Sequence, residues 1–246
     1  MENTTYVALS RLDAQQRAMD VIANNIANAN TDGYKAQRVL FSDYLSRQHG
    51  VDAPPGGTTL DYTQDRATYL DQKDGSLSQT GNPLDLALTG PGFFTVSTAA
   101  GPRLTRSGRF GMLADGRIAD ASGNLLLDTA GNPIQLSPSD TNIQIKGDGT
   151  ISTQNGPVGR LGVVTADDIN QLVPEGGKLY RTTGGTTPSV QPKVTQGVVE
   201  SSNVQPINEL TRMMQTEKEF QIVSQFIESE GQRQQSAIDK LVQQQS

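Results

Sequence analysis

The chain has 246 residues and a net charge of -6, only 34% of it is hydrophobic and 5% aromatic, and it contains neither Trp nor Cys. That apolar content excludes one deep interior and points to modest cores joined by strands and turns, and an acidic balance with no basic stripe excludes a nucleic-acid partner. Without Cys there is no disulfide framework and no thiolate metal site.

No apolar run reaches the roughly 18 residues of a membrane span. The start, MENTTYVALSRLDAQQ, lacks the basic head and apolar middle of a cleavable secretory signal. Neither membrane insertion nor signal-directed secretion is expected.

From about Thr4 to Ala29 the spacing predicts a helix of about 38 Å. Ala8, Leu12, Met19, Ile22, Ile26 and Ala29, with Gln15 counted among them, alternate steps of four and three, which is a seam for another helix. The alternative is an amphipathic helix lying on its own domain's core. The helix must end in NNIANANTDGYKAQR, because Asn28, Asn30, Thr31, Asp32 and Gly33 offer local hydrogen bonds and a permissive backbone. Residues 31–83 then read as an extended arm rich in Gly, Pro, Thr and Asp, with Tyr34, Phe41, Tyr44, Tyr62 and Tyr69 along it. A helical continuation over Ala36–Arg47 is open, closed in any case by APPGG at 53–57.

Residues 84–200 read as a small antiparallel β domain. LDLAL, FFTV, LTRSGRF, GRIAD, LLLD, IQL, IQIK, TIS and LGVVTA supply strands, punctuated by Gly90-Pro91-Gly92, Asp115-Gly116, Gly123-Asn124, Gly131-Asn132 and Gly147-Asp148-Gly149. After Gln196 helical periodicity returns from Ile207 to Val242, with Asn203 as cap and Pro206 in the first turn. Met213, Phe220, Ile227, Gln234 and Leu241 stand seven apart, thickened by Leu210 and Val223. At about 55 Å this helix is longer than any face of the small β domain and must pack elsewhere. The fold class is therefore α+β: long terminal helices forming a coiled-coil-like rod domain, an arm and a central antiparallel β domain.

Chemistry is excluded mostly by elimination. The chain has one His, His49, in a loop, so a His-based zinc site or a Ser-His-Asp constellation is not expected. Phosphate-binding glycine motifs are absent. Asp115, Asp120, Asp128 and Asp148 sit where turns want Asp, which outweighs a carboxylate pair for glycoside hydrolysis. No cofactor, metal or catalytic residue is assigned.

Three blocks carry a resemblance. AQQRAMDVIANNIANANTDGYKAQRVLFSDYL, QTGNPLDLALTGPGFF with LTRSGRF, and QGVVESSNVQPINELTRMMQ resemble, in order and across essentially the whole chain, the bacterial flagellar basal-body rod and hook proteins. The length and QDRATYLDQKDGSLSQTGNPLDLAL look most like the proximal-rod members. The pattern departs at QTEKEFQ, Gln215–Gln221, where the family more often has Arg before the aromatic residue.

The resemblance implies a structural subunit without enzyme activity, exported through the flagellar type III apparatus and assembled in the periplasm-spanning rod. Neighbouring copies, other rod proteins and membrane-ring and hook-side axial proteins would be its partners. Residues 1–30 would pair with 204–246 as an inner tube, with 31–83 as the arm and 84–200 outside. Leu12, Met19, Ile22 and Ile26 would form one assembly seam; Ser202, Asn203, Val204, Leu210, Met213, Phe220, Val223, Ile227 and Leu241 would form the other. Asn24, Asn25, Ala27, Asn28, Thr31, Gly33, Tyr34 and Lys35 match the family block and would place the helix end and the arm. A distal-rod or hook subunit is the alternative within the family, and a periplasmic peptidoglycan-cleaving enzyme or a secreted adhesive module are those outside it.

Overall fold

The computed structural model describes residues 2–48, 58–137, 139–176 and 178–243, with the backbone alone at 2–4, 41–48, 58–67, 238 and 241–243. His49 and APPGG lie outside the described residues. The chain is α+β: an N-terminal helix, a C-terminal helix and a central antiparallel β domain. It divides into two compact units, one of Met1–Ile26, Gln37–Tyr69 and Pro206–Ser246, the other of Ala27–Ala36 and Leu70–Gln205.

In the first unit, α1 spans Glu2–Ala27 and α2 spans Pro206–Gln243. Pro206 opens α2, where its missing N–H removes no helical bond. Gln37–Gln48 (β1) and Thr58–Leu70 (β2) form a two-stranded sheet. The helical continuation over Ala36–Arg47 is thus a strand from Gln37 onward. Val39, Phe41 and Tyr44 are good strand formers, and Asn25 holds the backbone of Gln37 so that it cannot enter a helix.

The second unit is antiparallel throughout its described pairings. Leu77–Gln79 (β3) pairs with the last strand and Leu86–Leu88 (β4) with the one before it. The large sheet takes Phe93–Thr98 (β5), Gly101–Thr105 (β6), Phe110–Met112 (β7), Ile118–Asp120 (β8) and Leu125–Leu126 (β9). Gln144–Ile145 (β10), Thr150–Thr153 (β11) and Gly156–Arg160 (β12) form a separate three-stranded sheet. Val163–Ala166 (β13), Leu172–Glu175 (β14), Leu179–Thr182 (β15) and Thr186–Pro188 (β16) complete the large sheet. Val194–Gln196 (β17) then pairs with β4, and Val198–Glu200 (β18) with β3.

Asp115-Gly116 makes the hairpin between β7 and β8, with Gly116 at φ 84°. LTRSGRF is broken: β6 ends at Thr105 and β7 begins at Phe110, so Arg106–Arg109 is a connection. The acidic turn residues do turn duty. Asp120 and Asp128 each accept two backbone N–H groups just downstream, and Asp115 and Asp148 each accept one.

Two larger buried apolar clusters hold the strands of this unit. The larger centres on Leu86, Phe94, Val96, Ile118, Leu126 and Ile151, with Phe94 and Phe110 edge to face at 5.6 Å. The smaller joins Leu70, Phe93, Leu104, Leu172 and Tyr180.

Candidate functional site

The block at the end of α1 is built as a turn. Thr31 N donates to Asn28 O at 3.1 Å, Thr31 Oγ1 reaches Asn28 Oδ1 at 3.3 Å, and Tyr34 N donates to Thr31 O at 3.2 Å. Gly33 sits at φ +70°, and a Cβ there would come within 2.3 Å of Ser107 N. Only Gly serves, for both reasons. The strand that follows Gly197 passes so close that Gly33 N donates to Glu200 O at 2.7 Å.

In the second unit these strands meet in a buried ionic knot. Glu200 Oε1 accepts Lys35 Nζ at 2.7 Å and Gly75 N at 2.9 Å, while its Oε2 accepts Arg106 Nε at 2.5 Å. Lys35 Nζ also donates to Lys73 O at 2.7 Å. The Arg106 guanidinium spends three more of its donors on Gly92 O, Leu88 O and Asp74 Oδ1. Lys35, Arg106 and Glu200 are all buried, and Asp74 closes the cluster from the surface side. Two cations against two anions, with almost every donor engaged, leave no free base or nucleophile. Such a cluster holds strands in place; removal of one charge strands the others in a low-dielectric interior.

Around it Asn203 spends both edges of its carboxamide, accepting from Ala36 N at 2.7 Å and donating to Asp71 O and Lys73 O. Asn203 is therefore no cap for α2. Tyr34, Ala36 and Val204 pack as a small apolar cluster beside it, and Ser202 Oγ accepts from Val204 N. Tyr180 Oη accepts from Lys35 N at 3.4 Å, and burial pushes its phenol up to about 12. Gly75 shows the same closeness as Gly33, since a Cβ there would lie 1.9 Å from Ser201 O.

In the first unit a second polar cluster joins the end of α1 to the start of α2. The buried Asn25 carboxamide accepts from Gln37 N and donates to Gln37 O, both at 2.9 Å, and also donates to Glu209 Oε2 at 3.3 Å. Arg38 donates to Glu209 Oε1 at 2.7 Å. Glu209 lies in the first turn of α2, where the helix dipole favours a carboxylate.

The expected seams are placed as follows. On α1, Ala8, Gln15 and Ile22 are buried, while Leu12, Met19 and Ile26 are half-buried. On α2 the covered stripe runs Glu209, Met213, Thr216, Phe220, Val223, Ile227, Glu230 and Gln234 in steps of four and three. Leu210 falls off it, on an exposed face with Ile207, Met214, Ile222 and Phe226; Ile207 is 79% and Met214 71% exposed. The side chain of Leu241 lies outside the described residues. Asn24 and Ala27 are exposed, and Asn28 and Thr31 half-buried. Gln15 alone among the described residues buries side-chain polar atoms without a hydrogen-bond partner; an unmet carboxamide of this kind costs about 1–3 kcal/mol.

Lys35 was legible in the sequence through its motif, whereas Asp74, Arg106, Glu200 and Glu209 were not. A lone charge in a strand-like segment, as in VVES or LTRSG, is the one available signal, since charges are buried only when paired. Among the described residues no group of His, Asp and Glu side chains is arranged to hold a metal ion.

Known families match in the same three places. The family described as flagella basal body rod protein matches residues 6–35, the flagellar hook protein FlgE/F/G D1 domain matches 87–153, and the flagellar basal body rod FlgEFG protein C-terminal family matches 195–240. Each contributes one member of the knot: Lys35, Arg106 and Glu200. The chain is 32% identical to the flagellar basal-body rod protein FlgF of Caulobacter vibrioides, covering 98% of both chains. It is 36% identical to FlgF of Mesorhizobium japonicum over 90% of both. To the flagellar basal-body rod protein FlgG of Bacillus subtilis it is 31% identical, over 92% of this chain and 94% of the relative.

Proposed function

The chain belongs to the flagellar basal-body rod protein family, and from that membership we propose that it is a non-enzymatic structural subunit of the proximal rod. The observation that carries this reading is the end-to-end match to relatives named FlgF, 98% of both chains in one case. Family membership places the protein in the flagellar basal body. In the proposed assembly, residues 1–30 and 204–246 pair in coiled-coil fashion and with neighbouring subunits as an inner tube. Residues 31–83 form an arm and 84–200 an outer layer, so that torque passes from the membrane ring to the hook.

Other rod proteins, further copies of this chain, and ring-side and hook-side axial proteins are its partners, and the flagellar type III apparatus exports it. What supports assembly through the helices is the exposed face of Ile207, Leu210, Met214, Ile222 and Phe226 on α2. Monomeric proteins rarely leave such a strip uncovered. Head-to-tail contacts of this kind generate open helical tubes.

The test is an in-frame deletion of residues 206–243, scored for swimming and for rods in isolated basal bodies. The expected result is an exported chain, no completed rod and no swimming. Normal swimming with complete rods would overturn the reading. Labelling of the intact protein further out than the ring-proximal rod segment would instead make it a distal-rod or hook subunit.

A further inference from the structure

Gln15 stands on α1 one heptad from Ala8 and one from Ile22, and all three are buried. The residue is 7% exposed, with neither Oε1 nor Nε2 hydrogen-bonded among the described residues. Leu or Met at this seam position would pack without that penalty. A single polar residue in an otherwise apolar seam is a device by which helices reject wrong registers and wrong partners.

The helix lengths say where a partner comes from. Asn25 and Glu209, 3.3 Å apart at their polar atoms, clasp the end of α1 to the start of α2. Measured from that clasp, α1 extends about 35 Å and α2 about 51 Å at ~1.5 Å per residue. The last ~16 Å of α2 therefore has no counterpart in α1 of the same chain.

This overhang begins beside Gln232, Gln234 and Gln235, and Gln234 lies on the covered stripe of α2. Glu230, one turn back on the same stripe, is held by Arg233. Gln234 stands about 37 Å along α2 from the clasp and Gln15 about 15 Å along α1, so one chain does not bring them level. A carboxamide both donates and accepts, so a second carboxamide can meet both of its edges.

We propose that Gln15 is a specificity-determining residue for pairing between copies of this chain, its carboxamide meeting that of Gln234 in a second copy. Among the described residues the isolated chain offers the Gln15 amide no partner, and assembly re-pairs α1 so that the amide is met. This rests on the assembly reading given above.

Because the chain contains no Cys, substituted thiols report proximity cleanly. Copies carrying Gln15→Cys and copies carrying Gln234→Cys are co-expressed in cells lacking the native chain, and isolated basal bodies are oxidised. A covalent dimer that needs both variants is expected. Its absence from basal bodies containing both, or a cross-link within one doubly substituted chain, overturns the proposal. Gln15→Leu decides independently of incorporation. The purified chain should melt about 2–6 °C higher, while the swimming halo shrinks at least twofold. A midpoint unchanged or lowered, or a full halo, overturns the proposal. If Gln15→Leu builds normal rods and deletion of 206–243 abolishes them, only this inference falls. If the deletion also builds rods, the assembly reading falls with it.

Discussion

Lys35 Nζ lies 2.7 Å from Glu200 Oε1 although 165 residues separate the two along the chain. Both side chains are buried, and Arg106 occupies the other carboxylate oxygen. The contact ties the segment leaving α1 to the segment approaching α2, through a carboxylate that neither segment's local pattern announces. Its energetics follow from burial, because a partnered charge in the interior is tolerable and an orphaned one is not.

Glu200→Gln should therefore destabilise the second unit by about 3–5 kcal/mol, since it leaves two buried cations with only the partly exposed Asp74 as counter-charge. Urea unfolding of the purified chain measures this. The triple change of Lys35, Arg106 and Glu200 to Met, Met and Leu should recover much of the loss, because apolar groups of similar volume need no partner. A triple variant weaker than Glu200→Gln alone would contradict the account.

Gly33→Ala should cost at least about 2 kcal/mol. The substitution combines a left-handed backbone with a Cβ 2.3 Å from Ser107 N, and that neighbour is backbone and cannot swing aside. Gly131→Ala shares the positive φ but meets open space, so it should lose only about 1 kcal/mol. Thermal melts of the two variants side by side separate strain from collision.

Asn25→Leu should free the Gln37 backbone and leave Glu209 with fewer donors, at about 2–3 kcal/mol. Hydrogen exchange gives the direct reading. The Gln37 amide, protected by Asn25 Oδ1 at 2.9 Å, should exchange at least tenfold faster while amides of β5 and β6 keep their rates.

Alkaline pH should weaken the second unit through Tyr180. Its phenol is raised by burial from an ordinary value near 10 to about 12. The folded state therefore retains its proton where the unfolded state releases it. The stabilisation is full below pH 10 and is lost as pH rises through about 12, amounting to about 2–3 kcal/mol. Tyr180→Phe removes the titrating proton and should flatten this part of the stability profile relative to the parent chain.

A charge on the exposed face of α2 separates assembly from folding. Met214→Glu should change the stability of the isolated chain by less than about 0.5 kcal/mol, as exposed substitutions do. Swimming and rod completion should nevertheless be lost. An unaltered halo would remove this face from the assembly surface.

Short-range chemistry was legible along the chain. The α+β class, the two terminal helices and the antiparallel β domain with its Asp-Gly and Gly-Asn turns all follow from patterns closed within a few residues. So does the stop after α1, where Asn28, Thr31 and Gly33 supply bonds and backbone freedom locally. Periodicity also marked Met213, Phe220, Val223 and Ile227 on one stripe of α2, because a helix repeats its face regardless of what covers it.

Tertiary structure alone decided the rest. Residues 37–48 became a strand because Asn25, twelve residues back, claims both backbone groups of Gln37. Asn203 left its expected capping role because Ala36, Asp71 and Lys73 offer it three partners from distant segments. Leu210 fell outside the covered stripe although its spacing admitted it. The knot of Lys35, Asp74, Arg106 and Glu200 was invisible for the same reason. A charge carries no periodicity, and whether it is solvated or buried depends on which counter-charge the fold delivers to it.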